Sequence, residues 1–200
     1  MPRLSRAESQ ARTRARLLDT AKACFLRDGY AATSLEGIAE AAGFSKGAVY
    51  SNFANKDELC LEVLDAIRAE RAASLVAAVS GPTSLEGRIA AFEAWAEKHI
   101  GDRAWTSLEV EFAIHASRDR RLGRELAKRT KAIHATVVAT VRGQASRGGL
   151  ELPMPPEDVA VALLSLGIGL GVQRAMVPSV PVRSLGKVAR LLAGVTPKRG

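Results

Sequence analysis

The chain has 200 residues, 47% of them apolar and 25% charged, with a formal net charge of +8. That size and balance suit one large or two modest folded domains and exclude wholesale disorder. Two cysteines, Cys24 and Cys60, without a C-x-x-C pair, point to neither a disulfide framework nor a zinc site, and no metal or cofactor is expected.

In chain order, the first 16 residues carry five arginines (Arg3, Arg6, Arg12, Arg14, Arg16) against Glu8 alone. This suits either a disordered basic arm lying on phosphates or a solvated tail. From Leu17, apolar residues recur at three- and four-residue steps through Leu18, Ala21, Cys24 and Phe25 and stop at Asp28-Gly29. A helix with Gly29 as its C-cap is predicted. Thr33-Ser34-Leu35-Glu36 reads as a T-x-x-E capping box, and Leu35, Ile38, Ala39 and Ala42 give the buried stripe of a short second helix ended by Gly43. Ser45 can cap a third helix with Val49 and Phe53 inward. Asn55-Lys56-Asp57-Glu58 forms another box and opens a long helix through Leu59, Val63 and Ile67 to Val79.

After a break at Ser80-Gly81-Pro82, TSLEG at 83–87 repeats the string at 33–37. The two stretches then diverge, so they mark two capping sites and not a repeat. Further helices are predicted over 84–99, 103–116, 120–147, 156–175 and 182–194. The longest uncharged run, Val159 to Gln173, has 15 residues, short of the roughly 20 that span a bilayer. With no secretion signal near the start, a cytoplasmic protein without a membrane partner is expected. No stretch alternates with period two, so the predicted fold is all-α. It comprises an N-terminal unit over 1–55 including a basic arm 1–16, a connecting helix over 56–79, and a larger body over 80–200.

The five residues GFSKG, 43 to 47, match G-x-S-x-G, the pattern of a hydrolase nucleophile elbow. That elbow needs a strand before the serine and a helix after it. The preceding segment is a capped amphipathic helix, and nothing in the spacing of His99, His115 and His134 selects a catalytic base. Two short helices joined by a glycine turn instead make a helix-turn-helix. Ile38, Val49 and Phe53 would form its core, leaving Lys46, Gly47, Ala48, Tyr50, Ser51 and Asn52 outward. A glycine at 47 costs a short helix about 1 kcal/mol relative to alanine, which makes sense where backbone must lie close to a duplex. No catalytic residue is assigned and no enzyme is expected. An adaptor that binds protein without reading DNA remains the other alternative.

The run GYAATSLEGIAEAAGFSKGAVYSNFANKDELCLEVL, Gly29 to Leu64, closely resembles the DNA-binding region of TetR-family transcriptional regulators. The likeness rests on Thr33, Ile38-Ala39, Ala42-Gly43, Ser45-Lys46-Gly47, Tyr50, Phe53, Lys56 and Leu59. It implies phosphate contacts from Thr33, Tyr50, Asn52 and Lys56, with Lys46, Gly47, Ala48 and Ser51 toward the major groove and Ser45 at the helix start. Many members carry an aromatic at the position of Ser51 and a histidine at that of Asn52. The remaining chain resembles the family only in being helical.

A three-helix reader covers few base pairs, so a homodimer on two half-sites of a double-stranded operator is expected. The apolar segment 161–176 offers Leu164, Gly167, Ile168 and Gly171 as candidate interface residues, and the family resemblance implies a four-helix contact there. The aromatic residues gather in two groups, five from Phe25 to Phe53 and four from Phe92 to Phe112. The second group lies on helices that line a small-molecule cavity in TetR-like regulators. Candidate pocket residues are therefore Phe92, Trp95, His99, Trp105, Glu109, Phe112 and His115. The resulting expectation is a repressor released from its operator by an unidentified small molecule.

Overall fold

The computed structural model describes residues 5–193; Arg3 of the expected arm and Gly194 of the last predicted helix lie outside them. The described residues form nine α-helices and no strand. They are α1 (Arg6–Ala32), α2 (Leu35–Ala42), α3 (Lys46–Tyr50), α4 (Lys56–Ser80), α5 (Leu85–His99), α6 (Arg103–Ser117), α7 (Arg120–Gly148), α8 (Pro156–Met176) and α9 (Arg183–Leu192). Contacts divide the chain into two compact units. One holds the described residues through Arg68 together with Ser107–Leu126; the other holds Ala69–Thr106 and the described residues from Ala127 onward. The partition expected from the sequence, 1–55, 56–79 and 80–200, did not anticipate that residues 107–126 group with the N-terminal helices.

In the first unit α1 begins earlier than its apolar pattern. Ser5 is the N-cap of a capping box: its hydroxyl accepts the Glu8 N–H at 3.2 Å and the Glu8 carboxylate accepts the Ser5 N–H at 2.7 Å. Those bonds hold the Glu8 carboxyl below the usual carboxylate range. Arg6, Arg12, Arg14 and Arg16 therefore ride on a helix, which corrects the disordered arm over that stretch. At Gly29 the backbone leaves the helix with φ +82° and ψ 173°, and one further turn, Tyr30–Ala32, leads to α2. Leu17, Phe25, Ile38, Val49, Phe53, Leu59 and Val63 are all at most 1% exposed. Burying one such side chain contributes about 1.5–3 kcal/mol, so this core fixes the mutual packing of α1, α2 and α3.

In the second unit α9 packs on α5 and on α8. Ala96, Leu170, Val182 and Leu185 form a buried cluster, with Phe92, Trp95, Ile100, Leu163, Leu166 and Val180 packed around it. Gly186 leaves no room for a β-carbon against the Glu93 side chain, so α9 lies close on α5. Arg190 then binds Glu86 and Glu93, each at 2.6 Å. By length and composition alone, the 21 residues of α8 could cross a membrane. The 15-residue uncharged run within it is bounded by Asp158 and Arg174. Here Val159, Ala160, Leu170 and Gly171 of α8 are buried in the fold.

Candidate nucleic-acid interface

Two short helices and their turn build the surface. The N-cap of α2 is Ser34, with extended backbone and its hydroxyl accepting the Gly37 N–H at 3.0 Å. This corrects the capping box expected from Thr33. The Thr33 hydroxyl points back and donates to the Gly29 carbonyl at 2.7 Å, and Thr33 is buried. Shifting the cap by one residue moves Glu36 from the third to the second helical position, away from the reciprocal bond and toward α3. The same shift occurs in the second copy of the string, where Ser84 caps α5 through the Gly87 N–H at 3.0 Å.

Gly43 ends α2 in left-handed backbone (φ 72°, ψ 32°), its N–H directed at the carbonyls of Ala39 and Glu40. A side chain would meet nothing within 4 Å there, so the glycine serves backbone conformation and not space. Ser45 caps α3, its hydroxyl accepting the Ala48 N–H at 3.3 Å. The element before Ser45 is a helix and its hydroxyl is committed to the cap, so the strand–serine–helix geometry of a nucleophile elbow does not form here.

Lys46, Gly47, Tyr50 and Ser51 are exposed, and Ala48 and Asn52 are half-buried. Ser51 Oγ and Asn52 Nδ2 both donate to the Ala48 carbonyl, at 3.0 and 2.7 Å, and so close the end of α3. The polar groups projecting from this face are Lys46 and Tyr50, the latter 53% exposed. Both turn toward Glu36: Lys46 Nζ lies 3.8 Å from Oε1, and the Tyr50 hydroxyl donates to the same oxygen at 3.3 Å. The Glu36 carboxyl is held below its usual range, first by a bond from its own backbone N–H and then by Lys46 and Tyr50. Two donors suited to phosphate thus rest on a carboxylate.

Lys56 sits differently. Its ammonium donates to the carbonyls of Tyr30 and Thr33 at 3.0 and 3.1 Å and lies 4.2 Å from the Tyr30 ring centroid. Asn55 accepts the Glu58 N–H at 2.8 Å, as the expected box requires, and the return bond from Glu58 goes to the Ala54 N–H at 2.7 Å, one residue before the cap. The Tyr30 hydroxyl donates to Asp57, and His115 Nε2 lies 3.0 Å from the same carboxylate oxygen. Sequence reasoning missed Tyr30 and Asp57 as polar partners; the glycine-aromatic pair at 29–30 was their only local signal.

The seven expected pocket residues fall four and three into the two units. In the second unit Phe92, Trp95 and His99 stack in succession along α5, with centroids 6.5 and 4.8 Å apart. The Trp95 indole donates to Ser74 at 2.8 Å, and the Arg71 guanidinium lies 5.0 Å from the buried Trp105 ring. In the first unit Glu109 pairs with Arg68 at 2.9 Å, Phe112 is fully buried, and His115 meets Asp57 and Tyr30. An open groove of about 530 Å³ is lined by residues including Arg142, Leu150, Leu152, Met154 and Pro156, and by none of the seven. On α8, Ile168 is 59% exposed, Leu164 and Gly167 are half-buried, and Gly171 is buried within its own unit.

Comparison with known proteins gives two family matches. Residues 17–63 match the model described as bacterial regulatory proteins, tetR family, and residues 89–193 match the C-terminal region of the BetI-type transcriptional repressor. The transcriptional regulator TtgR of Pseudomonas putida is 42% identical over 67 residues, which are 34% of this chain and only 31% of TtgR. The transcriptional repressor Rv1474c of Mycobacterium tuberculosis is 26% identical over 199 residues, spanning 100% of this chain and 92% of that protein. Among solved structures, reduced NemR of E. coli superposes with a TM-score of 0.73 at 18% identity, over 92% of this chain and 100% of that one, a likeness of fold.

Proposed function

The chain belongs to the TetR family of transcriptional regulators and is of the repressor type, and on that premise we propose how it acts. It represses as a homodimer whose two α3 helices read the half-sites of a palindromic operator, and a small molecule bound in the second unit releases it. The observation that carries this reading is the α2–Gly43–α3 geometry with Lys46, Gly47 and Tyr50 exposed on one face.

In this reading Lys46, Gly47, Ala48 and Ser51 meet the major groove, where a glycine lets the backbone approach the base edges. Tyr50, Asn52 and Lys56 approach phosphates, Tyr50 by leaving Glu36 and Lys56 while still bracing the carbonyls before α2. The buried Thr33, its hydroxyl bound to the Gly29 carbonyl, instead holds the turn that precedes α2. Ser45 preserves the start of α3. Cytoplasmic location follows from a duplex target.

A five-residue helix reads few base pairs, so a second copy is required. Support for the interface comes from exposed Val161, Ile168 and Met176 on α8 and Leu191 on α9. Leu164 and Gly167 border that stripe, and Gly171 is buried within its own unit. The half-buried stack Phe92–Trp95–His99, with Trp105 nearby in sequence, supports a flat, largely apolar effector. Glu109, Phe112 and His115 have partners in the first unit and serve its architecture in this reading. Release is a population shift: the effector favours dimers whose α3 helices are wrongly spaced for the operator.

Hydroxyl-radical footprinting on the DNA upstream of the chain's own coding sequence tests the proposal. The expected result is two protected patches related by two-fold symmetry, centred about one helical turn or a multiple of it apart. Absence of any protected patch at protein concentrations that saturate non-specific binding would contradict it.

A further inference from the structure

The Glu111 carboxylate, on α6, accepts two consecutive backbone N–H groups of the turn that follows α1: Tyr30 N–H to Oε2 and Ala31 N–H to Oε1, both at 2.8 Å. These amides have lost their helical acceptors because Gly29 breaks the ladder immediately before them. A carboxylate 80 residues away thus caps the start of the turn, as an N-cap side chain would. The opposite end is held by charge of the other sign, since Lys56 donates to the carbonyls of Tyr30 and Thr33. The Tyr30 side chain is fixed as well, by Asp57 from α4 and His115 from α6.

We propose that Glu111 is a positioning residue for DNA reading: it latches the Tyr30–Thr33 turn and so sets where α2 and α3 present their outer face. The inference rests on the DNA-binding reading above. Glu111 itself touches no base or phosphate in this scheme. It acts through the turn, and the turn leads directly to the Ser34 cap of α2. Two charge-assisted bonds to consecutive amides define direction as well as distance, which a single bond would not. Gln at this position offers one acceptor oxygen in place of two and carries no charge.

The test compares the full-length chain with Glu111→Gln, by amide hydrogen exchange at Tyr30 and Ala31 and by affinity for the upstream duplex and for a scrambled duplex of equal length. Glu111→Asp keeps the charge with a shorter reach, and replaces the Gln variant if thermal unfolding shows that the latter does not fold. The expected result is faster exchange at both amides and loss of roughly tenfold or more in affinity for the upstream duplex, the scale of one charge-assisted hydrogen bond. Affinity for the scrambled duplex should change little, because Lys46 and Tyr50 are intact; a general loss of stability would weaken both duplexes alike. Unchanged exchange at Tyr30 and Ala31, or faster exchange with unchanged selectivity, would overturn the latch. If the wild-type chain bound neither duplex, the DNA-binding reading would fall, and with it the latch's role in reading; the exchange data would still decide whether Glu111 orders the turn.

Discussion

A β-carbon on Gly29 would lie 2.8 Å from Glu111 Oε2, so a side chain at position 29 would displace the carboxylate of α6 from the kink of α1. Its backbone, φ +82° and ψ 173°, lies in a region almost confined to glycine. Gly29→Ala is expected to lower unfolding free energy by about 1–3 kcal/mol from backbone strain, with displacement of the Glu111 side chain in addition. Urea unfolding measures this, and an alanine variant as stable as wild type would contradict it.

Glu36 holds Lys46 and Tyr50 while the protein is free of DNA. Exposed pairs of this kind are weak because solvent screens them, and a carboxylate on that face also repels phosphates. Glu36→Gln is therefore expected to raise affinity for both specific and scrambled duplexes by up to about tenfold. Anisotropy titrations at two salt concentrations check this; weaker binding to both duplexes would show that Glu36 contributes to reading.

Two buried groups give the protein an alkaline limit. Burial, then the hydrogen bond to Asp57, pushes the Tyr30 hydroxyl well above the ordinary tyrosine value of 10.0. Burial does the same to the Cys60 thiol, ordinarily at 9.0. Both are raised in the fold, so the unfolded chain releases these protons first. Their contribution is complete below pH 9.0 and is lost as pH rises past the unfolded values. The thermal midpoint should fall steeply above that point, and Tyr30→Phe should flatten the fall above pH 10.0. Identical slopes for the two proteins there would refute the assignment to Tyr30.

Ile168 is the best-exposed aliphatic residue in the middle of α8. Ile168→Glu is expected to leave the chain folded, because the side chain faces outward, and to abolish dimers at micromolar concentration through unpaired buried charge. Sedimentation velocity distinguishes the outcomes. A dimer unaffected by the change would move the interface off this stripe.

Much of the fold could be read locally. Leu35, Ile38, Ala39 and Ala42 are the buried residues of α2 as their spacing implies, and Gly43 and Ser45 bound the turn as their chemistry implies. The Thr33 box failed because threonine and serine stand side by side, and only the backbone angles decide which one caps. The Ser5 cap carries no apolar signal, because the first turns of α1 are polar and exposed and its apolar repeat begins only at Leu17. Glu111, Asp57 and His115 could not be placed at the turn after Gly29, since contacts across 27 to 85 residues leave no local periodicity. The pocket candidates divided for the same reason: Glu109, Phe112 and His115 follow Trp105 closely in sequence, yet their partners are in the N-terminal helices.

In the proposed function, DNA reading depends on the outward face of α3, and one binding measurement addresses it. Anisotropy of a labelled duplex from upstream of the chain's own coding sequence is recorded for the wild type and for the Lys46→Ala, Tyr50→Ala double variant, with a scrambled duplex as competitor. Both side chains are exposed, so the variant keeps its fold. The expected result is wild-type preference for the upstream duplex by about a thousandfold or more, with most of that affinity gone in the double variant. Equal affinity of the two proteins for the upstream duplex would contradict the account.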